Sequence, residues 1–395
     1  MNKKCLFFKQ NADAMAVVAI MLVVFLYIMF WGYSDMPAHA HIAKDMLEDG
    51  HLFAGNFLMF FMVNLLTFFS GAMLPIKMAL CFLLACSNTA KYVLVRNELA
   101  GVVSLKRAKI VSLSLLFVFV VPVLYFLKVF GIFQSANTMY NHYSVPNVWH
   151  NSTILCMMPF AIITFFLSIR QFEEYNGKRN RLITVFVVLG TLVKPSFFFL
   201  YAVAYPICML VKYRFSKFFF CSLLPIIVGI LCVLYEYLTI YDIGDGPEVI
   251  ISVWPLFTFE FWESRWLYFV ISIAFPVVFV LFYWKDIHKD MEFWLIIIMV
   301  VVAFGIAWCC SETGERASHG NFSWQVVSAM WFVYYYLIKR VIISGCSFQN
   351  TDANGRTFVR GKLGWKNASF VVLYGLHVVT GVLYLMKYLI TNSYC

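Results

Sequence analysis

Apolar runs close to twenty residues long, enough to cross the hydrocarbon core of a bilayer, recur from one end of this sequence to the other. They lie near 15–32, 110–127, 153–169, 218–240, 266–284, 292–310, 325–343 and 368–391. Two further apolar regions are interrupted: 56–95 at Gly71 and Pro75, and 182–211 at Lys194-Pro195-Ser196. In lipid a backbone satisfies itself only as helix, with breaks tolerated where protein or water covers them. The spacing therefore predicts an all-α, polytopic transmembrane helical bundle of about 10–12 membrane segments. A 62% hydrophobic, 13% charged composition and a mean hydropathy of +0.81 leave no stretch for a soluble domain, so 1–395 reads as one transmembrane domain. Membrane lipid is thus a partner, and nucleic-acid modules and soluble enzymes are excluded. The 11 cysteines lie mostly inside apolar runs, form no CxxC pair and read as small hydrophobes.

Charge orients the chain. The amino terminus and the gaps 91–109, 170–181, 212–217, 285–292 and 339–366 hold 23 of the 30 Lys and Arg. Positively charged segments stay on the cytoplasmic side. The gaps 33–55, 128–152, 241–265 and 311–324 are then outer loops, with four cations (Lys44, Lys128, Arg265, Arg316) against 11 carboxylates. Lys3, Lys4 and Lys9 precede a first helix without a clear small-residue cleavage site before Trp31, so that helix reads as retained.

Six of the eight histidines fall in these outer loops, which makes them the place to look for a site. In the first, Ser34 or Asp35 caps a helix opened by Pro37 and stopped at Gly50, with an apolar stripe of Ile42, Met46 and Leu47. That amphipathic helix should lie on the membrane surface. Asp35 and His39, four residues apart, share one of its faces. Asp35 reads either as a plain N-cap or as a working carboxylate at the membrane edge.

The second outer loop closes with Trp149-His150-Asn151-Ser152-Thr153 at the mouth of an apolar span. Trp149 is ordinary at an interface, whereas His150 and Asn151 offer polar groups where a helix start favours an anion. Asn-Ser-Thr also matches a glycosylation sequon. The last outer loop carries Glu312, Arg316 and His319 among two glycines, and Arg316 is a natural partner for phosphate if it is not paired with Glu312. Lys194, inside an apolar run and beside a helix-breaking proline, is costly unless it meets water or a partner. Glu236 lies near the outer end of its span.

These features resemble the polytopic glycosyltransferases of the GT-C superfamily: an Asp just past helix one, a surface helix with His, then Gly55-Asn56-Phe57-Leu58, and later Trp149-His150-Asn151 and Lys194-Pro195-Ser196. The likeness covers 1–210, as a core with its first outer loop at 33–55, and leaves 211–395 as additional transmembrane helices. It departs from the family in having one acid where a pair is usual, since Asp45 and Asp49 sit on the surface helix, and in lacking a soluble carboxy-terminal domain.

The resemblance implies transfer of a sugar from a polyprenyl-phosphate-linked donor to a glycan or lipid-linked acceptor on the extracytoplasmic face of a bacterial inner membrane, in cell-surface polysaccharide assembly. It places Asp35 as the acidic residue that acts as catalytic base or orients the acceptor, with His39 beside it. His150, Asn151, Trp149, Lys194, Glu312, Arg316 and His319 are candidates for binding substrate. A divalent cation held by Asp35 and a histidine is possible, although no dedicated ligand set stands out. Two alternatives are an O-antigen or capsule polysaccharide polymerase, and a lipid-linked glycan transporter or flippase, for which broken helices are a sign.

Overall fold

The computed structural model describes residues 3–53, 55–120, 144–241, 249–251, 262–312, 321–344, 348–351, 357–360 and 364–393. Among them the helices run α1 (Lys3–Trp31), α2 (Met36–Glu48), α3 (Leu58–Leu66), α4 (Met73–Leu99), α5 (Leu105–Ser114), α6 (Ser152–Glu173) and α7 (Gly177–Val193). They continue as α8 (Ser196–Tyr213), α9 (Lys217–Ser222), α10 (Leu224–Tyr241), α11 (Trp262–Ile287), α12 (Met291–Cys309), α13 (Trp324–Ser344) and α14 (Trp365–Thr391). Among the described residues nine stretches are long and apolar enough to cross a membrane, so the protein is a polytopic helical membrane bundle. To this the structure adds two short antiparallel pairs, β1 (Val249–Ile251) with β2 (Cys310–Glu312) and β3 (Phe348–Thr351) with β4 (Thr357–Arg360).

Both interrupted regions break where their residues predict. Between α3 and α4 the chain turns through Phe68, Phe69 and Gly71, all at positive φ, and Pro75 falls in the first turn of α4. Between α7 and α8 only Lys194 and Pro195 intervene, because the proline ring cannot continue the ladder of α7. The amphipathic helix expected between Pro37 and Gly50 is likewise present as α2, opened by Pro37 and followed by Gly50 at φ 73°.

Two expectations need correction. The first is the inner loop at 91–109, since α4 runs on to Leu99 and takes Lys91 and Arg96 into the bundle. Lys91 is 3% exposed, donates to Asn147 Oδ1 at 3.0 Å and lies 5.5 Å from the Trp331 ring centroid. Arg96 pairs with Asp13 of α1 at 2.9 Å, and Lys109 reaches the same carboxylate at 3.4 Å. A charge inside lipid persists only with such partners.

The second is the span expected at 110–127, of which 121–127 lie outside the described residues: its helix α5 stops at Ser114. The unwound residues after it are held by side chains and backbone from elsewhere. Asn147 Nδ2 donates to the carbonyls of Leu115 and Val118, both at 3.0 Å. From α14, His377 accepts the Phe119 amide on its carbonyl at 3.2 Å, while its Nδ1 lies 2.8 Å from Phe119 O. Gly381 lets this backbone pass so closely that a Cβ there would stand 1.5 Å from Phe117 O.

Candidate active site

Asp35 occupies the N-cap position of α2, yet its side chain makes no capping hydrogen bond. The amide of Met36 turns instead toward Ser34 Oγ at 3.4 Å. That leaves the carboxylate for another use: Asp35 Oδ2 accepts from Asn151 Nδ2 at 3.0 Å, across 116 residues of sequence. α2 is fixed in place by burying Met36, Ala40 and Ala43, and by Asn64 of α3 donating to Ala43 O at 2.8 Å.

Asn151 reaches Asp35 because it caps a helix of its own. Its Oδ1 accepts the Ile154 amide at 3.1 Å and the Thr153 hydroxyl at 2.9 Å. The sequon Asn151-Ser152-Thr153 is therefore spoken for: Asn151 is buried and its amide nitrogen is engaged with Asp35. The segment before it, 145–151, is buried along its whole length. Trp149 packs against Phe25 and Phe117, at ring distances of 6.2 and 5.8 Å, so it braces the segment from the core rather than sitting in an interfacial belt.

Lys194 closes the group. As the C-cap of α7 its amide returns to Gly190 O at 2.9 Å, and its side chain leaves toward the start of α6. There Nζ donates to Thr153 Oγ1 at 3.2 Å and stands 5.2 Å from the ring centroid of Trp324. His150, 2% exposed, presents its ring 5.8 Å from the same indole. His39 packs edge-on to Phe60 of α3 at 5.9 Å, and its buried Nδ1 has no hydrogen-bond partner among the described residues.

Both imidazoles are held neutral. Burial pushes His39 down to about 4, helped by the cation of Lys194, and burial alone takes His150 down to about 3. Among the described residues the site thus sets the Asp35 carboxylate and the Lys194 ammonium among neutral polar groups and rings. Such a pair can take up a proton at one point and meet negative charge at another.

Asp35, His39, His150, Asn151 and Lys194 are brought together. Glu312 is described only as the partner of Val249 in the β1–β2 pairing, and Arg316 and His319 lie outside the described residues. The residues that sequence reasoning missed are Thr153, the common neighbour of Lys194 and Asn151, and Trp324, the face behind Lys194 and His150. For Trp324 the available signal was an aromatic at a polar loop's junction with a span. Elsewhere Glu236, 3% exposed, meets the Asn56 amide 3.1 Å from both its oxygens once that amide is turned to donate.

Among the described residues no group of three or more His, Cys, Asp or Glu side chains converges, and the Lys194 ammonium beside His39 opposes a second cation.

No family model matches the sequence, and no curated protein matches it. Among solved structures, an archaeal oligosaccharyltransferase, AglB from Archaeoglobus fulgidus in complex with an inhibitory peptide and a dolichol-phosphate, is similar at 11% identity and a TM-score of 0.44. The match covers 98% of this chain and 56% of that one, so the chain spans about half the length of its neighbour. A likeness at this level carries no argument about fold or chemistry.

Proposed function

We propose that the protein is a membrane glycosyltransferase that moves a sugar from a polyprenyl-phosphate-linked donor to a glycan or lipid-linked acceptor, with its site on the extracytoplasmic face of a bacterial inner membrane. The observation that carries the reading is the use made of Asp35: a carboxylate at a helix N-terminus, left out of capping, and joined through Asn151 and Thr153 to the ammonium of Lys194. Resemblance of the first outer loop to the GT-C superfamily points the same way.

In this reading Asp35 accepts the proton of an acceptor hydroxyl as its oxygen bonds to the anomeric carbon of the donor sugar. The bond from that carbon to the phosphate oxygen breaks, and the electron pair leaves with polyprenyl phosphate. Lys194 stabilises the charge that builds on the leaving phosphate, with Trp324 behind it and Arg316 as a further cation. His39 and His150, held neutral, add no positive charge of their own and serve as hydrogen-bonding groups for hydroxyls or phosphate oxygen.

The test is direct assay of the purified protein in lipid nanodiscs with polyprenyl-phosphate sugars of several kinds and a glycan acceptor. Release of polyprenyl phosphate together with acceptor-dependent product is expected. Movement of intact donor across a vesicle membrane without release of polyprenyl phosphate would replace the transferase with a flippase.

A further inference from the structure

Three hydrogen bonds connect Lys194 to Asp35, and the chemistry of each member leaves only one direction for them. A lysine ammonium can only donate, so Thr153 Oγ1 accepts at 3.2 Å. The hydroxyl has a single proton, which goes to Asn151 Oδ1 at 2.9 Å, an atom that can only accept. The amide is fixed that way round independently, because the same Oδ1 takes the backbone N–H of Ile154 at 3.1 Å. Asn151 Nδ2 is thereby turned to the carboxylate of Asp35 at 3.0 Å. The run is Lys194 to Thr153 to Asn151 to Asp35, donor to acceptor throughout, with a cation at its head and a carboxylate at its foot. Hydrogen bonds aligned in this way polarise one another, and more so out of water. Thr153 and Asn151 are 7% and 4% exposed.

We infer that Thr153 is a positioning residue of the site: its hydroxyl holds the Lys194 ammonium at a fixed separation from the Asp35 carboxylate. The cation that meets the leaving phosphate and the base that meets the acceptor then stand in one rigid frame. The four members come from the N-cap of α2, from the segment before α6, from the first turn of α6 and from the break after α7, so this chain of side chains ties together two charges held on separate elements. Trp324 supports the head of the run from the other side, 5.2 Å from Nζ. A methyl in place of the hydroxyl would keep the shape of Thr153 and remove both the acceptor of Lys194 and one donor to Asn151. This inference rests on reading Asp35 and Lys194 as the working charges of a transferase, and its test has a readout that does not need activity.

The experiment compares Thr153→Val with Thr153→Ser in the full-length protein in nanodiscs. Acylation of Lys194 by a small amine-reactive ester is followed by peptide mass spectrometry, alongside sugar transfer. In Thr153→Val the amine loses the Thr153 hydroxyl as an acceptor and should acylate about fivefold faster, the equilibrium worth of one hydrogen bond. Transfer should fall about 10- to 100-fold through misplacement of the two charges. Thr153→Ser, which keeps the hydroxyl, should match the parent in both. Equal acylation in all three proteins, or the same rise in the serine variant as in the valine one, overturns the inference. Should Thr153→Val not fold, Thr153→Ala removes the same hydroxyl and is judged by the same comparison. If no donor sugar is transferred by the parent protein, the transferase reading fails while the acylation result still decides the role of Thr153.

Discussion

Gly381→Ala should destabilise the protein by about 2–4 kcal/mol, although it adds a single methyl group to a good helix position. The new Cβ would stand 1.5 Å from Phe117 O and 2.7 Å from its carbonyl carbon, both backbone atoms with no rotamer to escape by. Reaching ordinary contact distance needs α14 and the unwound chain to part by about 2 Å. That breaks the Phe119 amide bond to His377 O and the His377 Nδ1 contact to Phe119 O, and strains the two bonds from Asn147 to Leu115 O and Val118 O. At ~1 kcal/mol for each of two to four bonds the stated range follows. Because Asn147 lies in the buried segment that ends at Asn151, sugar transfer should decline with it. Gly375→Ala, on the same helix with nothing within 4 Å of its Cβ, is the control and should be neutral or stabilising by up to ~1 kcal/mol. Thermal unfolding of the two variants in matched detergent decides the matter. Equal melting temperatures would mean that α14 does not grip the unwound segment as described.

Two further outcomes are expected. His39 and His150 are neutral in the fold, at about 4 and about 3 against an ordinary value of 6.5, so the unfolded chain binds protons first as pH falls and stability should drop between pH 6.5 and about 3. Melting curves across that range should show the loss, His39→Gln should lessen it, and a flat profile would contradict the burial of these rings beside Lys194. On orientation, a membrane-impermeant thiol reagent should label His51→Cys in intact cells and Lys106→Cys only after permeabilisation; the reverse pattern would invert the topology read from charge.

Much of the architecture was legible because membrane helices announce themselves by length and by their breakers. Pro37 and Gly50 bounded α2, and Lys194-Pro195 marked the gap between α7 and α8. Lys91 was misplaced for a definite reason: it follows an apolar run, so it looked like the start of a basic loop, while its actual partners Asn147 and Trp331 lie 56 and 240 residues away. The end of α5 was hidden because Leu115–Val120 is apolar and contains no Gly or Pro, and its carbonyls are satisfied by Asn147 and His377 from remote segments. At the site, Asp35, His150, Asn151 and Lys194 could each be suspected singly, since each is a polar group at an apolar boundary. Whether Asp35 capped its helix or served another group was open until Ser34 and Asn151 were placed. Thr153 could not be singled out at all, because a threonine in the first turn of a helix is unremarkable until Lys194 is seen to donate to it.

The central claim is that the Asp35 carboxylate performs chemistry rather than folding, and the most direct measurement is sugar transfer by Asp35→Asn beside its melting temperature. Asparagine keeps the size of the side chain and an oxygen that accepts from Asn151, so the frame around it should persist. What it loses is the ability to take a proton. The account predicts transfer reduced about 100-fold or more, with a melting temperature close to that of the parent. Transfer near the parent level in a folded Asp35→Asn protein would contradict it.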